Sequence, residues 1–268
     1  MEAAHDFRYR DRMRIGIIGS GAIATYVEDH LRSRDDAPHV VLVRPARLEE
    51  GDERVAHVAD LPGDTDLMVD CGGHSALAEH GPAILERGMD LVTVALGALA
   101  DESLHDRLLT AAKGSGARLH LASGAVGALD ALRSARVGGL DAVTYTGRKP
   151  PAGWKGSAAE DSLDLDALSG PAVHFEGDAR EAATRYPKNA NVAAAVALAG
   201  IGFKGTRVRL IADPTIEANI HEVEATGAFG AFTFRIEGRA LPDNPRSSAL
   251  AAMSVVAAIE RQRSAVLI

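Results

Sequence analysis

The first half of the chain alternates short, β-branched apolar runs with longer stretches of helical period. Ile15, Ile17 and Ile18 open the series, and runs at 40–43, 67–71, 91–94 and 118–121 follow, each with the length and character of a buried strand. Helix-compatible segments lie between them at about 22–34, 76–86 and 101–112, with Gly88 placed as a C-cap and Gly114 and Gly116 as terminators. This alternation predicts an α/β fold with a doubly wound parallel sheet.

Beyond Gly124 the rhythm changes. A crossover helix is expected over 125–136 and a strand over 142–147, which runs into Arg148, Lys149, Pro150 and Pro151. A polar, proline-rich loop then continues to Asp166 with Trp154 inside it, and loops of that length are commonly functional. A strand is expected over 173–177, and an alanine-rich helix over 191–199 is opened by Asn191 as a favoured N-cap. Three strand-like runs, 207–212, 218–225 and 231–237, succeed one another without helices, which predicts a second α/β domain with a mixed sheet. Residues 247–261 have helical period and are expected to return to the first sheet. The expected division is a flexible extension at 1–12, a first domain at 13–124 and 245–268, and a second at 125–244.

Directly after the first strand, Gly19-Ser20-Gly21-Ala22-Ile23-Ala24 fits the pattern G-x-G-x-x-A. Gly19 permits a tight turn, Gly21 lets backbone N–H groups approach a pyrophosphate, and Ala24 lets the next helix pack closely. Ala22 and Ile23 open that helix, whose positive dipole end would face the phosphates. With a strand before it and a helix after it, the pattern predicts a dinucleotide-binding domain of Rossmann type, although a tight turn without a ligand has the same form. Gly72 and Gly73 stand at the end of the third strand, where open α/β sheets bind ligands. At the end of the second strand, Arg44 occupies the place where an NAD-selective site usually carries an acid, and Arg47 is close by. A guanidinium suits a 2′-phosphate, which favours NADP or dual use; stacking on adenine or facing solvent is the alternative for Arg44.

Composition narrows the picture. Of 268 residues 46% are hydrophobic but only 4% aromatic, so the core must be built from Ala, Val, Leu and Ile. Lys and Arg number 29 against 37 Asp and Glu, and the net charge of −8 without a basic run argues against nucleic acid and anionic membranes as partners. No apolar run is long enough for a transmembrane helix, and residues 1–12 lack the apolar core of a signal peptide. The single cysteine, Cys71, excludes an intramolecular disulfide and suits a reducing compartment, so a cytoplasmic location is expected. No metal is expected, because the histidines form no HExxH and Cys71 has no companion.

The chemical candidates lie mainly in the second half. Strand alternation puts Asn219, His221 and Val223 on one face, and a histidine there could serve as both acid and base. A hydrogen-bonded core histidine would show the same spacing. Arg148 and Lys149 at a strand end could bind an anionic substrate or be solvated charge. Asn189 and Asn191 read as helix caps or ligand contacts, His74 as a structural residue after two glycines, and Cys71 as a small buried residue rather than a nucleophile.

Taken together, these segments resemble the L-aspartate dehydrogenase family. The resemblance runs from Met13 nearly to the end of the chain. It is carried by 16–24, 74–82, 97–100, 123–130, TGRKPP at 146–151, 175–183, PKNANVAA at 187–194, 212–214, NIH at 219–221, 227–230 and 244–248. It implies a Rossmann domain plus an α/β catalytic domain in a homodimer, using NAD or NADP. It further implies that His221 is the catalytic residue and that Ala125 and Asn191 contact the dinucleotide. The implied chemistry is reversible oxidative deamination of L-aspartate through iminosuccinate to oxaloacetate and ammonia, a product line that could feed pyridine-nucleotide synthesis. Aspartate carries two carboxylates, for which Lys149 is the expected cation, with Arg148 in reserve and Asn219 beside them. The alternatives are another two-domain reductase, acting on homoserine or a cyclic imine such as dihydrodipicolinate, or a non-catalytic regulator that binds NADP.

Overall fold

A strand covered on both faces must be apolar at every position, and Ile15–Ile18 (β1) is buried throughout. It is followed by α1 (Ala22–Arg32), β2 (Val40–Leu42), β3 (Leu67–Asp70), α2 (His74–Glu86), β4 (Asp90–Thr93), α3 (Glu102–Ser115) and β5 (Leu119–Leu121). The second part of the chain forms α4 (Leu129–Gly138), β6 (Leu140–Lys149), β7 (Ala172–Asp178), α5 (Ala179–Arg185), α6 (Asn191–Ala199), β8 (Thr206–Ala212) and β9 (Asn219–Gly227). It ends with β10 (Gly230–Gly238), β11 (Ala240–Leu241), β12 (Asn244–Ser248) and α7 (Ala249–Arg263). The computed structural model describes residues 13–48, 51, 53–187, 189–242 and 244–266, and the extension expected over 1–12 lies outside them.

Two units emerge, 13–95, 103–122 and 252–266 in the first and 96–102 with 123–251 in the second. The first differs from the expected 13–124 and 245–268 at three places, of which 123–124 is a shift of two residues. Residues 96–102 go with the second unit, because the Gly97 N–H donates to Asn191 Oδ1 at 2.9 Å and Arg180 pairs with Glu102 at 3.1 Å. Residues up to 251 also go with the second unit, where β11 and β12 form an antiparallel ribbon.

The first unit is a parallel sheet in the order β2-β1-β3-β4-β5. Its chain leaves β1 in one direction and returns beside it in the other, so the carboxyl ends of β1 and β3 form a switch point of the kind where doubly wound sheets bind ligands. Ile15 and Ile17 of β1 pack in one cluster with Val27 and Leu31 of α1 and Val255, Val256 and Ile259 of α7. The helix expected over 247–261 thus covers the first sheet.

The second unit is a mixed sheet in the order β10-β9-β6-β8-β7, with β6 and β8 parallel and the other pairs antiparallel. Several expectations change here. The helix predicted from 125 begins at Leu129, because Ala128 before it is left-handed (φ 61°). The strand predicted over 142–147 runs on to Lys149, which brings Arg148 and Lys149 into the sheet. The proline-rich stretch is tied down by turns at Pro151–Trp154 and Ala158–Asp161, and the buried Trp154 donates its indole N–H to Ile211 O at 3.0 Å. The helix α5 was not expected, and it starts on a capping box between Asp178 and Glu181. Asn191 is the first residue inside α6 rather than its N-cap, which is Ala190.

One buried carboxylate shapes the switch point. Asp70 is fully buried at the end of β3, where Oδ1 accepts from Gly72 N–H (2.9 Å) and Gly73 N–H (3.3 Å). Its Oδ2 accepts from Thr93 Oγ1 at 2.8 Å, and that hydroxyl accepts from Ala95 N–H at 3.0 Å. Burial pushes the carboxyl up from 3.8 to about 6 despite these donors. The native state therefore keeps its proton longer than the unfolded chain, and the stability this gives below pH 4 is lost as the pH rises through about 6. Asp70→Asn keeps an oxygen for Gly72 and Gly73 and removes the titration. Denaturant unfolding of variant and wild type should diverge in the variant's favour by up to about 3 kcal/mol between pH 4 and pH 7.

Candidate active site

The sequence-predicted dinucleotide loop is assembled in the first unit. Gly19 has φ +98°, a conformation that favours glycine, and its N–H donates to Leu42 O at 2.8 Å, which holds the loop against the end of β2. A Cβ on Gly19 would lie 3.1 Å from Gly72 Cα, so the loops after β1 and β3 touch through two glycines. Gly21 caps α1 without a side-chain bond, no acid lies in the first turn, and a Cβ on Gly21 would meet nothing within 4 Å. Ala22 and Ile23 are the first residues of α1, and the buried Ala24 closes the pattern. Open N–H groups at a helix start, bordered by two glycine turns, fit the pyrophosphate of a dinucleotide. Arg44 is exposed two residues beyond β2, with Arg47 exposed after it.

In the second unit the register of β6 and β9 gathers the reactive side chains. Gly147 pairs with His221 and Tyr145 with Val223, so Tyr145, Gly147, Lys149 and His221 share one face of the sheet. His221 is buried at 4% exposure, and its Nδ1 lies 2.8 Å from the hydroxyl of the buried Tyr145. Burial, together with the positive charge of Lys149, pulls the His221 imidazole down from 6.5 to about 4, so the ring is neutral at neutral pH. Burial alone pulls Lys149 down from 10.5 to about 8. Its Nζ donates to Asn189 Oδ1 at 2.7 Å and lies 5.0 Å from the centre of the Trp154 ring. A Cβ on Gly153 would lie 3.3 Å from Lys149 Cβ and 3.8 Å from Asn219 Oδ1, so Asn219 completes the group. The face thus offers a neutral imidazole beside a cation on a lowered pKa, a pairing suited to an anionic substrate that exchanges protons.

Arg148 does not join this group. It pairs with Ile220 on the opposite face of the sheet, and its guanidinium bonds Asp213, itself only 1% exposed, at 2.9 Å. Its sequence-predicted place as a substrate cation is corrected accordingly: alternation within β6 separates it from Lys149. Ala125 is buried in the turn after β5, and Asn191 spends its Oδ1 on Gly97 N–H rather than on a helix cap. His74 begins α2, and the Cys71 thiol is pushed up by burial, which disfavours a thiolate. Sequence reasoning missed Asp70 and Tyr145. The spacing Tyr145-x-Gly147-x-Lys149 was the available signal, since it places three residues on one face of a strand. Among the described residues no group of three or more His, Cys, Asp or Glu could hold a metal ion, and no helix is long and apolar enough to cross a membrane.

Two family models match successive parts of the chain. Residues 19–122 match the family model for the NAD binding domain of homoserine dehydrogenase, and residues 130–262 match that for the C-terminal part of aspartate dehydrogenase. The L-aspartate dehydrogenase of Ruegeria pomeroyi is 54% identical over 96% of this chain and 94% of its own. That of Ralstonia pickettii is 47% identical over 96% of this chain and 100% of its own. The crystal structure of aspartate dehydrogenase from Thermotoga maritima superposes with a TM-score of 0.75 at 28% identity, covering 96% of this chain and 99% of that one. A match to relatives of one name that spans both units, the glycine loop and the His221 face alike, places the chain in the L-aspartate dehydrogenase family.

Proposed function

We propose that the chain is an NAD(P)-dependent L-aspartate dehydrogenase, which oxidises L-aspartate to iminosuccinate and hydrolyses it to oxaloacetate and ammonia. The observation that carries this reading is the shared face of neutral His221 and cationic Lys149 in a unit that matches the aspartate dehydrogenase model. The dinucleotide, when bound, supplies the hydride acceptor. Gly21, Ala22 and Ile23 offer backbone N–H groups to its pyrophosphate, Gly19 and Gly72 turn the chain beside them, and the family resemblance adds Ala125 and Asn191 as contacts. Arg44, exposed at the strand end where an NAD-selective site usually carries an acid, supports use of NADP or of both dinucleotides.

Lys149 holds a substrate carboxylate by a charge-assisted hydrogen bond, oriented by Asn189, and Asn219 adds an amide on the same side. His221 serves the water-addition step by hydrogen bonding at the oxygen that water brings. A homodimer belongs to the same proposal and is supported by β10, an edge strand of the second sheet with Phe229 exposed near it. Cytoplasmic residence is supported by the lone cysteine.

The test follows the absorbance of reduced cofactor with L-aspartate against NAD and NADP in parallel, then with oxaloacetate plus ammonia. Turnover in both directions is expected. Turnover with homoserine or a cyclic imine instead, or dinucleotide binding without turnover, would overturn the proposal. His221→Ala should lower kcat by about 10²–10⁴-fold while dinucleotide affinity is kept. Lys149→Ala should raise the aspartate KM. In the wild type that KM should climb as pH rises past about 8, where Lys149 loses its charge, and the variant should lack this inflection.

A further inference from the structure

The Tyr145–His221 contact carries chemical information beyond position. A phenol buried to 1% exposure needs an acceptor for its proton, and His221 Nδ1 at 2.8 Å is the hydrogen-bond partner of Tyr145 Oη among the described residues. Were Nδ1 to carry hydrogen and donate instead, the hydroxyl proton would be left buried without a partner, at a cost of about 1–3 kcal/mol. Donation by Tyr145 satisfies both groups and leaves the ring hydrogen on Nε2. The chain also keeps room for this arrangement. Gly147 interrupts a buried strand, and a Cβ there would lie 2.6 Å from Tyr145 Oη and 3.2 Å from Leu210 Cδ2.

We infer that Tyr145 is a positioning residue that fixes His221 in the Nε2–H tautomer, so that His221 meets the substrate as a hydrogen-bond donor rather than as a base. The inference rests on the reading of His221 as the group that serves the water-addition step. In that step an Nε2–H donor supports the carbonyl oxygen of oxaloacetate and the hydroxyl of the adduct from which ammonia departs. Removal of the proton from the attacking water then falls to another group or to solvent. A ring kept neutral by its burial fits this role, since a neutral imidazole has one N–H to offer and the tautomer decides where.

The test uses the full chain labelled with ¹⁵N-histidine, with the His221 signals assigned by difference from His221→Ala. Long-range ¹⁵N–¹H correlation should show a hydrogen on Nε2 and none on Nδ1. In Tyr145→Phe, which keeps the ring and removes only the hydroxyl, both tautomers should appear. The same variant should lower kcat about 10- to 100-fold with little change in the aspartate KM or in dinucleotide affinity. Gly147→Ala, which crowds the hydroxyl from below, should move the signals in the same direction. A wild-type spectrum with hydrogen on Nδ1 overturns the assignment, as does a Tyr145→Phe enzyme with unchanged tautomer and kcat. A chain inert towards aspartate that still shows the Nε2–H form would unseat the substrate and leave the Tyr145 assignment standing.

Discussion

The register of β6 is the constraint on which the second unit depends. In a strand the side-chain period is two, and a slip of one residue would carry every side chain to the other face. Lys149 would then exchange places with Arg148, and Gly147 would no longer sit opposite His221. The register is held from both sides, by β8 in parallel and β9 antiparallel, and by the burial of Val143 and Tyr145 on the inner face. Arg148 adds to this by committing its charge to a nearly buried aspartate on the outer face. Two neighbouring cations of the same segment thereby acquire different duties.

The same burial that holds the strand decides the charge state of what it displays. Removing His221 from water disfavours its cation, and the charge of Lys149 disfavours it further. Lys149 is lowered by a similar margin but from a higher starting value, so it stays a cation below about pH 8. In the first unit a comparable cost is met at Asp70, where a carboxylate is kept in the interior because it organises three donors around the glycine turn. Both units thus accept an unfavourable burial next to the residues they present.

The first sheet was legible because fully buried strands show themselves as continuous apolar runs, and the glycine loop because its pattern is local. His221 and Lys149 were legible as candidates from chemistry and from the family resemblance. What escaped was set by non-local pairing. Tyr145 has no visible role until β6 is laid against β9, and nothing in the order of Arg148 and Lys149 tells which faces His221 without that register. The short helix α5 escaped for a different reason: its seven residues are too few for a hydrophobic period, and only the capping pair Asp178 and Glu181 marks it. Asn191 has the local look of a cap as well as of a ligand contact, whereas its partner, Gly97, lies in another segment of the chain.

The discontinuity of the first unit has a bearing on how the chain is made. Ile15, Ile17, Leu67 and Val69 share their core with Val255, Val256 and Ile259, so the glycine loop's own sheet lacks one of its covering layers until the last helix has been synthesised. The second unit draws on 96–102 and 123–251, and all of these residues are in place earlier. A chain that emerges from its amino end first therefore assembles the sheet that carries His221 and Lys149 before its dinucleotide sheet is closed, and the module that comes first in sequence is completed last.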